Sequence, residues 1–312
     1  MNIVGILYSF LVISLQVSRA FHGLKRSSSF IGTHYSSFTN QVVDDNATDD
    51  DYSIVDEKTV EKKVDSNGLS LLAKKWDWRN GFGTNLVSPV KDQHNPYNCG
   101  SCWAHASAAV IADRTNVRDW VFRRQNWTMS VGSIQYMISC SGVGTCVDGG
   151  DERDVYAWVK KNGGFPHESC LNYVALDVQC KQCLHCNETS CEQYKPTQVM
   201  TVLDYKTVKG EKHMKLGMIR DGGGPISCAI YATNGMLNYT GGIYKEVIED
   251  VRKIDFNHVV EVVGWGDNYW IIKNSWGMRW GEGGFMRLSM DGKFNLGIDR
   301  ECSYPIVGGW KQ

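Results

Sequence analysis

Apolar side chains recur at helical spacing in the run "CWAHASAAVIADRTNVRDWV" at residues 102–121. Such spacing is typical of a helix that buries one face or more. Ser101 stands directly before the run as a candidate N-cap. The pattern therefore predicts a long, largely buried helix that begins at Cys102. The apolar positions are Ala104, Ala108, Ile111, Ala112, Val117 and Val121.

Three later stretches are β-branched, aromatic and punctuated by glycine. They read "HVVEVVGWG" at 258–266, "NYWIIKNSWG" at 268–277 and "GGFMRLSM" at 283–290. These textures predict antiparallel strands. A helical half followed by a strand-rich half predicts an α+β fold of two lobes with a cleft between them, where a ligand can bind.

The residues before this domain have a different character. An apolar run from Ile3 to Leu15 is too short to cross a bilayer and ends near Ser18 and Ala20, which predicts a signal peptide at 1–20. Residues 21–70 are serine-rich and then acidic, as in a removable prosegment that ends between 68 and 76. Residues 71–312 then form the packed domain, with a helical lobe at about 76–195 and a β lobe at about 196–312.

Cysteine usage points to an oxidising compartment. All 11 cysteines of the 312-residue chain lie between Cys99 and Cys302. An odd number leaves at least one thiol without an internal partner. Four glycosylation sequons support the secretory pathway, with the lysosome or the extracellular space as destination. The sequons are at Asn46, Asn126, Asn187 and Asn238.

Charge and hydropathy exclude two classes of partner. The formal net charge is −1 and no polybasic surface is apparent, which argues against nucleic acid. Beyond the first twenty residues no segment approaches transmembrane length, so an integral membrane protein is not expected.

Cys102 and the later cysteine cluster each allow two interpretations. A cysteine at a helix N-terminus can be a reactive thiolate, because the helix dipole and free amides lower its pKa, but position alone equally allows a disulfide partner. The cluster "CKQCLHCNETSC" at 180–191 contains Cys-x-x-Cys, which could bind zinc or an iron–sulfur cluster. The secreted context and the even number of other cysteines favour disulfides, so no metal or cofactor is predicted.

Three sequence blocks, which occur in a fixed order, favour a reactive thiolate over a disulfide partner as the role of Cys102. The sequences "CGSCW" from Cys99, "NHVVEVVGWG" from 257 and "WIIKNSWG" from 270 resemble the cysteine, histidine and asparagine blocks of the papain family of cysteine proteases. The resemblance implies Cys102 as nucleophile and His258 as its base, in a thiolate–imidazolium pair. It further implies Asn274 as the residue that orients the imidazole.

Other roles follow from the same resemblance. Gln93 is implied as a side-chain donor of the oxyanion hole, and Trp276 as the indole that shields the His–Asn bond. Gly149 and Gly150 are implied to hold substrate backbone, although "CVDGGD" is one residue longer here than in the family. Five disulfides are also implied: Cys99–Cys146, Cys140–Cys180, Cys170–Cys183, Cys186–Cys191 and Cys228–Cys302.

The spacer before Cys102 is three residues longer than in most papain-like enzymes. Nine positions separate Gln93 from Cys102, and the extra residues include His94 and Pro96. A similar His-x-Pro insertion marks a carboxypeptidase branch of the family, in which the histidine receives the terminal carboxylate of the substrate. The resemblance thus implies a monomeric enzyme that removes single residues from peptide C-termini and is inhibited by its own prosegment.

Two alternatives remain open. The protein could be a papain-type endopeptidase or a dipeptidyl carboxypeptidase, if the loop does not close the cleft. It could also be a glycosylated adhesion or signalling protein that has kept the fold without the chemistry. The intact catalytic positions count against the second alternative.

Overall fold

The computed structural model describes residues 73–123, 127–181, 183–186, 191–248, 253 and 255–311, with backbone alone at 123, 184–186, 191, 193 and 194. The predicted signal peptide at 1–20 and prosegment at 21–70 lie outside the described residues, and so do Asn46, Asn126 and Asn187.

The longest helix in the described part of the chain is the one that the apolar pattern predicts. Helix α1 spans Cys102–Arg123 and begins at the cysteine. The Ser101 carbonyl accepts the first helical bond, from the His105 amide at 2.9 Å, so Ser101 has the N-cap position. Its hydroxyl, however, lies 2.8 Å from the Tyr173 hydroxyl and 3.3 Å from His105 Nδ1. The Ser101 hydroxyl therefore bonds to these two side chains and does not form the capping bond to a backbone amide of the first helical turn. The other helices among the residues that the structure describes are α2 (Ile134–Cys140), α3 (Glu152–Asn162), α4 (Glu211–Ile219) and α5 (Asn234–Leu237), with 3₁₀ turns at Trp78–Asn80 and Glu168–Cys170.

Most strands belong to one mixed sheet. Within the described residues it has eight strands, in the order β4-β10-β5-β7-β8-β9-β6, with β1 paired to β7. Strands β7, β8 and β9 are the three that the sequence predicts, and they pair antiparallel. A separate hairpin joins β2 and β3. The strands are β1 (Trp76–Asp77), β2 (Cys183–Cys186), β3 (Cys191–Tyr194), β4 (Val199–Val208), β5 (Ile226–Ile230), β6 (Ile243–Tyr244), β7 (His258–Gly266), β8 (Tyr269–Lys273), β9 (Phe285–Ser289) and β10 (Cys302–Lys311).

A buried arginine joins the helical part to the β part. Arg114 of α1 is 1% exposed, and its guanidinium donates to the carbonyls of Gly217, Gly224 and Pro225 at 3.0–3.2 Å. It also lies over the ring of Tyr304, 4.5 Å from the centroid. Several carbonyl acceptors and an aromatic face offset the cost of burying this charge. The contacts fix α1, which carries Cys102, against the strand-bearing half.

Four disulfides lie in the described part of the chain, and each joins cysteines that the family resemblance pairs. Because Cys180 and Cys183 are both disulfide-bonded, the Cys-x-x-Cys pair is not free to bind a metal. The expected Cys186–Cys191 bond lies outside the described side chains. Among the cysteines described with side chains, Cys102 has a free thiol. The four bonds are Cys99–Cys146, Cys140–Cys180, Cys170–Cys183 and Cys228–Cys302.

Candidate active site

The free thiol of Cys102 is the first side chain of α1 and is 9% exposed. Burial raises the pKa of the Cys102 thiol, and the negative charge of Glu152 acts in the same direction. Hydrogen bonds from the backbone amides of Val259, Trp103 and Cys102 itself act in the opposite direction and lower this pKa. The amide of Val259 belongs to β7, so this strand begins against the helix N-terminus.

His258 is the first residue of β7, and it is held by Asn274 directly after β8. The distance from His258 Nε2 to Asn274 Oδ1 is 2.8 Å. The backbone amide of Ser275 donates to the same Oδ1 at 2.8 Å, which fixes the orientation of the asparagine amide. Since Oδ1 can only accept, Nε2 carries the proton and Nδ1 is left as the free nitrogen of the neutral ring. Burial lowers the pKa of His258 to about 4, against the opposing effect of the Asn274 bond.

The two burial effects act against charge on each partner taken alone. A raised thiol pKa and a lowered imidazole pKa both favour the neutral groups. The predicted thiolate–imidazolium pair therefore requires both charges to form together, so that their attraction and the amides at the helix N-terminus offset desolvation. The pair then shares one proton and titrates as a unit.

Trp276 packs against the imidazole. Its ring centroid is 4.9 Å from that of His258, with the planes inclined by 33°. Trp280 meets Trp276 edge-on at 5.2 Å. Asn274 is 3% exposed beside them. The aromatic pair thus helps keep water from the His258–Asn274 bond. Trp280 was missed in the sequence, because it lies in an irregular segment whose spacing predicts no contact.

The Gln93 side chain is held from both ends of its amide. Its Nε2 donates to the Cys99 carbonyl at 2.9 Å, and its Oε1 accepts from the Ser275 hydroxyl at 2.6 Å. Its backbone amide donates to the Ser275 carbonyl at 2.8 Å, and its carbonyl accepts from the Tyr173 hydroxyl at 2.8 Å. One Nε2 hydrogen remains for a ligand. Ser275 and Tyr173 were missed in the sequence, where only the adjacency of Ser275 to Asn274 gives a signal.

His94 lies on an exposed loop whose base is fixed beside the site. Residues 94–98 are exposed, whereas Gln93 and Cys99 at the two ends are buried. The His94 amide donates to Asp92 Oδ1 at 3.0 Å. Asp92 in turn forms a β-bridge with Trp276. The start of the loop is therefore fixed by Asp92, which is itself paired with Trp276 beside His258.

The two glycines after Cys146 have different surroundings. The amide and carbonyl of Gly149 both bond to Thr145, at 3.2 and 3.0 Å. Gly150 is exposed, and a Cβ there would lie 2.8 Å from the ring of Trp103. Glycine is thus required at 150 for close packing, and Gly150 has the more accessible backbone of the two.

The sequon at Asn238 is within the described residues and lies at the end of α5. Asn238 is exposed, and its Nδ2 is 3.3 Å from the Asn234 carbonyl. A glycan can therefore reach this position without disturbing the core. Among the described residues, the helices are all too short or too polar to span a bilayer.

Comparison with known proteins agrees with this arrangement. The model of the papain family of cysteine proteases matches residues 72–306. The chain belongs to this family. Cathepsin Z of Onchocerca volvulus is 37% identical over 249 residues, which cover 74% of this chain and 78% of that protein. Cathepsin L1 of Drosophila melanogaster is 32% identical over 245 residues, covering 76% of this chain and 59% of the relative.

Solved structures with the same fold include both a mature enzyme and a precursor. Bromelain from Ananas comosus, in complex with the E64 inhibitor, aligns with a TM-score of 0.57 and 26% identity, over 74% of this chain and 98% of that one. Digestive procathepsin L 3 of Tenebrio molitor aligns with a TM-score of 0.58 and 29% identity, over 75% and 69%. The predicted α+β papain-like fold is therefore confirmed.

Proposed function

We propose that this cysteine protease is a carboxypeptidase that removes single residues from the C-termini of peptides. The observation that carries the proposal is the position of His94 on an exposed loop, directly after Gln93. The side-chain amide of Gln93 is held by the Cys99 carbonyl, close to the start of α1. An imidazolium at this place attracts a terminal carboxylate, and the loop obstructs a chain that continues beyond it.

In the proposed reaction Cys102 attacks the carbonyl carbon of the last peptide bond. The sulfur forms a bond to carbon while the thiol proton resides on His258 Nδ1, which then delivers it to the leaving amine. Asn274 keeps the imidazole in this orientation through Nε2. The free hydrogen on Gln93 Nε2 and the amide of Cys102 stabilise the oxyanion. Water then hydrolyses the thioester, with His258 as the base.

Substrate backbone is held on the opposite rim by Gly150 in this proposal. Its exposed peptide groups are free to pair with an extended peptide, whereas those of Gly149 are bonded to Thr145. We further propose that the enzyme is a monomer of the lysosome or the extracellular space, and that residues 21–70 inhibit it until they are removed. The disulfides support an oxidising compartment.

The similarity to cathepsin Z supports the carboxypeptidase assignment. It agrees with the resemblance of the His-x-Pro insertion in this chain to that of the carboxypeptidase branch of the family. The similarity to cathepsin L1 is the observation that favours the alternative, a papain-type endopeptidase. The two activities produce different first products from one long peptide.

Mass spectrometry of those products tests the proposal. Activated enzyme is incubated with a peptide of about ten residues, and the earliest products are weighed. Successive losses of one residue from the C-terminus are expected, with Cys102→Ser as the inactive control. Internal fragments would indicate an endopeptidase, and losses of two residues a dipeptidyl carboxypeptidase. Unchanged peptide, with Cys102 resistant to a thiol-directed epoxide, would favour an adhesion or signalling role.

A further inference from the structure

A cavity of about 30 Å³ lies where α1, the start of β7 and the end of β8 meet. Three polar residues that line it are at most 4% exposed: His105, Glu261 and Asn274. Within the described residues, His105 Nε2, Glu261 Oε1 and Asn274 Nδ2 have no hydrogen-bond partner. Buried polar atoms are nearly always paired. The three side chains that carry these atoms line the same cavity, which indicates a site for a small polar molecule.

Asn274 presents a donor to this cavity. Its Oδ1 already accepts from His258 Nε2 and from the Ser275 amide. Both of those bonds would be lost, and replaced by contacts between donors, if the amide were reversed. Nδ2 is therefore the atom that remains, and it can only donate.

His105 presents an acceptor. Its Nδ1 lies 2.9 Å from the Ser101 carbonyl, so Nδ1 carries the proton and Nε2 has the lone pair. Burial lowers the pKa of His105 to about 4, which keeps the ring neutral above that pH. The edge of this ring also packs against Tyr173, with centroids 4.8 Å apart, so the imidazole is not free to turn.

Glu261 presents a second acceptor from a buried charge cluster. Its Oε2 is 2.9 Å from Lys273 Nζ, which also lies 3.2 Å from Asp113 Oδ2 and 2.9 Å from the Ser88 hydroxyl. Burial and then the negative charge of Asp113 raise the pKa of Glu261 well above its ordinary value, while Lys273 acts against them. Oε1 of this carboxyl group remains without a partner among the described residues and can accept a bond from the cavity.

We propose that the cavity binds an ordered water molecule, which accepts a hydrogen bond from Asn274 Nδ2 and donates to His105 Nε2 and Glu261 Oε1. One donor and two acceptors match the bonding capacity of a single water, and a water needs only about 10–15 Å³ on this measure. His105 and Glu261 are then positioning residues, since they act on His258 through the water and Asn274. The inference rests on the proposed role of Asn274 in the reaction.

A crystal structure of the activated enzyme at about 1.5 Å resolution tests the water directly. The expected result is a density peak within roughly 3.2 Å of all three atoms. A dry cavity, a water that does not reach Asn274 Nδ2, or a reversed Asn274 amide would overturn the proposal. This result does not depend on activity, so it is distinguishable from a failure of the proposed function. If cleavage depends on Cys102 but the cavity is dry, only this inference fails.

A matched pair of substitutions tests the positioning role. Glu261→Gln keeps the shape of the side chain and one oxygen acceptor for the water, but it cannot also accept from Lys273, so its kcat should fall by no more than about threefold. Glu261→Leu removes the acceptor, and kcat should fall roughly tenfold with KM within twofold. Equal losses in both variants would indicate a merely structural residue, and no loss in the leucine variant would remove the role altogether.

His105→Phe provides an independent test if Glu261→Leu fails to fold. It removes the second acceptor without touching Lys273. The expected result is again a fall in kcat of roughly tenfold, a small change in KM, and a water displaced from the crystal structure. A His105→Phe enzyme with wild-type kcat would contradict the inference.

Discussion

The Ser275 hydroxyl donates a 2.6 Å hydrogen bond to Oε1 of Gln93, across 182 positions of sequence. Ser275 directly follows Asn274, which holds His258. The residue proposed for the oxyanion hole and the residue that orients the imidazole are therefore attached to one short segment after β8. Positioning of the oxyanion donor and positioning of the base are coupled through this serine.

Ser275→Ala should lower kcat by about tenfold while KM changes little. The substitution releases the Gln93 side-chain amide, which can then turn away from the oxyanion. The expected loss is smaller than the roughly 100-fold or greater loss of kcat that follows when an oxyanion-hole donor is removed completely. Steady-state kinetics on one peptide measure the effect. The control is Ser107→Ala, since that buried hydroxyl bonds only within the helical lobe, to the Trp103 carbonyl at 2.7 Å among others. Equal activity of the two variants would disprove the coupling.

The proposed catalytic pair, Cys102 and His258, should give a broad pH profile of thiol reactivity. The active form holds one proton between Cys102 and His258, whichever atom carries it. Burial lowers the pKa of His258 to about 4 and raises that of the thiol above 9.0. The rate constant for alkylation of Cys102 by iodoacetamide should therefore rise through about pH 4 and stay level through neutral pH. In His258→Ala the thiol titrates alone, so alkylation at pH 6 should fall by about 100-fold. An unchanged rate at pH 6 in this variant would show that His258 does not activate the thiol.

The buried carboxyl group of Glu152 should make the folded protein less stable as the pH rises. Burial, and then the charge of Asp151, raise the pKa of Glu152 from 4.5 to about 7. The folded state therefore holds this proton where the unfolded state releases it. The contribution of this proton to the free energy of unfolding is fully present below pH 4.5 and is lost as the pH rises through about 7. The loss amounts to about 3 kcal/mol of stability.

Glu152→Gln removes this titration and keeps an acceptor for the Ser303 hydroxyl, which bonds Glu152 at 2.9 Å. The variant should match wild type at pH 4.5 and exceed its melting temperature at pH 7.5, measured by calorimetry. Glu192→Gln, at an exposed position, is the control and should follow wild type at both values. If the melting temperature of Glu152→Gln depended on pH as that of the wild type does, the loss of stability would come from other titratable groups.

His94→Ala should raise KM for a peptide with a free C-terminal carboxylate and leave the amide of the same peptide nearly unchanged. One charge-assisted bond at an exposed site corresponds to roughly a tenfold effect. Asn95→Ala, at the next exposed position of the loop, is the matched control. Similar changes in both variants would mean that the loop acts through its shape, with no specific contribution from the imidazole.

The sequence predicted what depends on local pattern. The helical repeat places the start of α1 at Cys102, and the glycine-bounded apolar runs become β7, β8 and β9. The contacts of Ser275 with Gln93 and of Tyr173 with Gln93 join positions 182 and 80 residues apart. No local pattern encodes such pairs, because they arise only when the lobes pack. For the same reason the burial of Glu261 could not be predicted from an alternating strand, in which a glutamate is usually exposed.

Recognition of the substrate's C-terminus by His94 distinguishes the proposed carboxypeptidase from an endopeptidase of the same fold. The most direct measurement is kcat/KM of the activated wild-type enzyme for one peptide as its free acid and as its C-terminal amide. The free acid should be cleaved at least about tenfold more efficiently, because only it carries a terminal carboxylate for His94 to bind. Equal efficiency on the two peptides would show that the enzyme does not recognise the C-terminus.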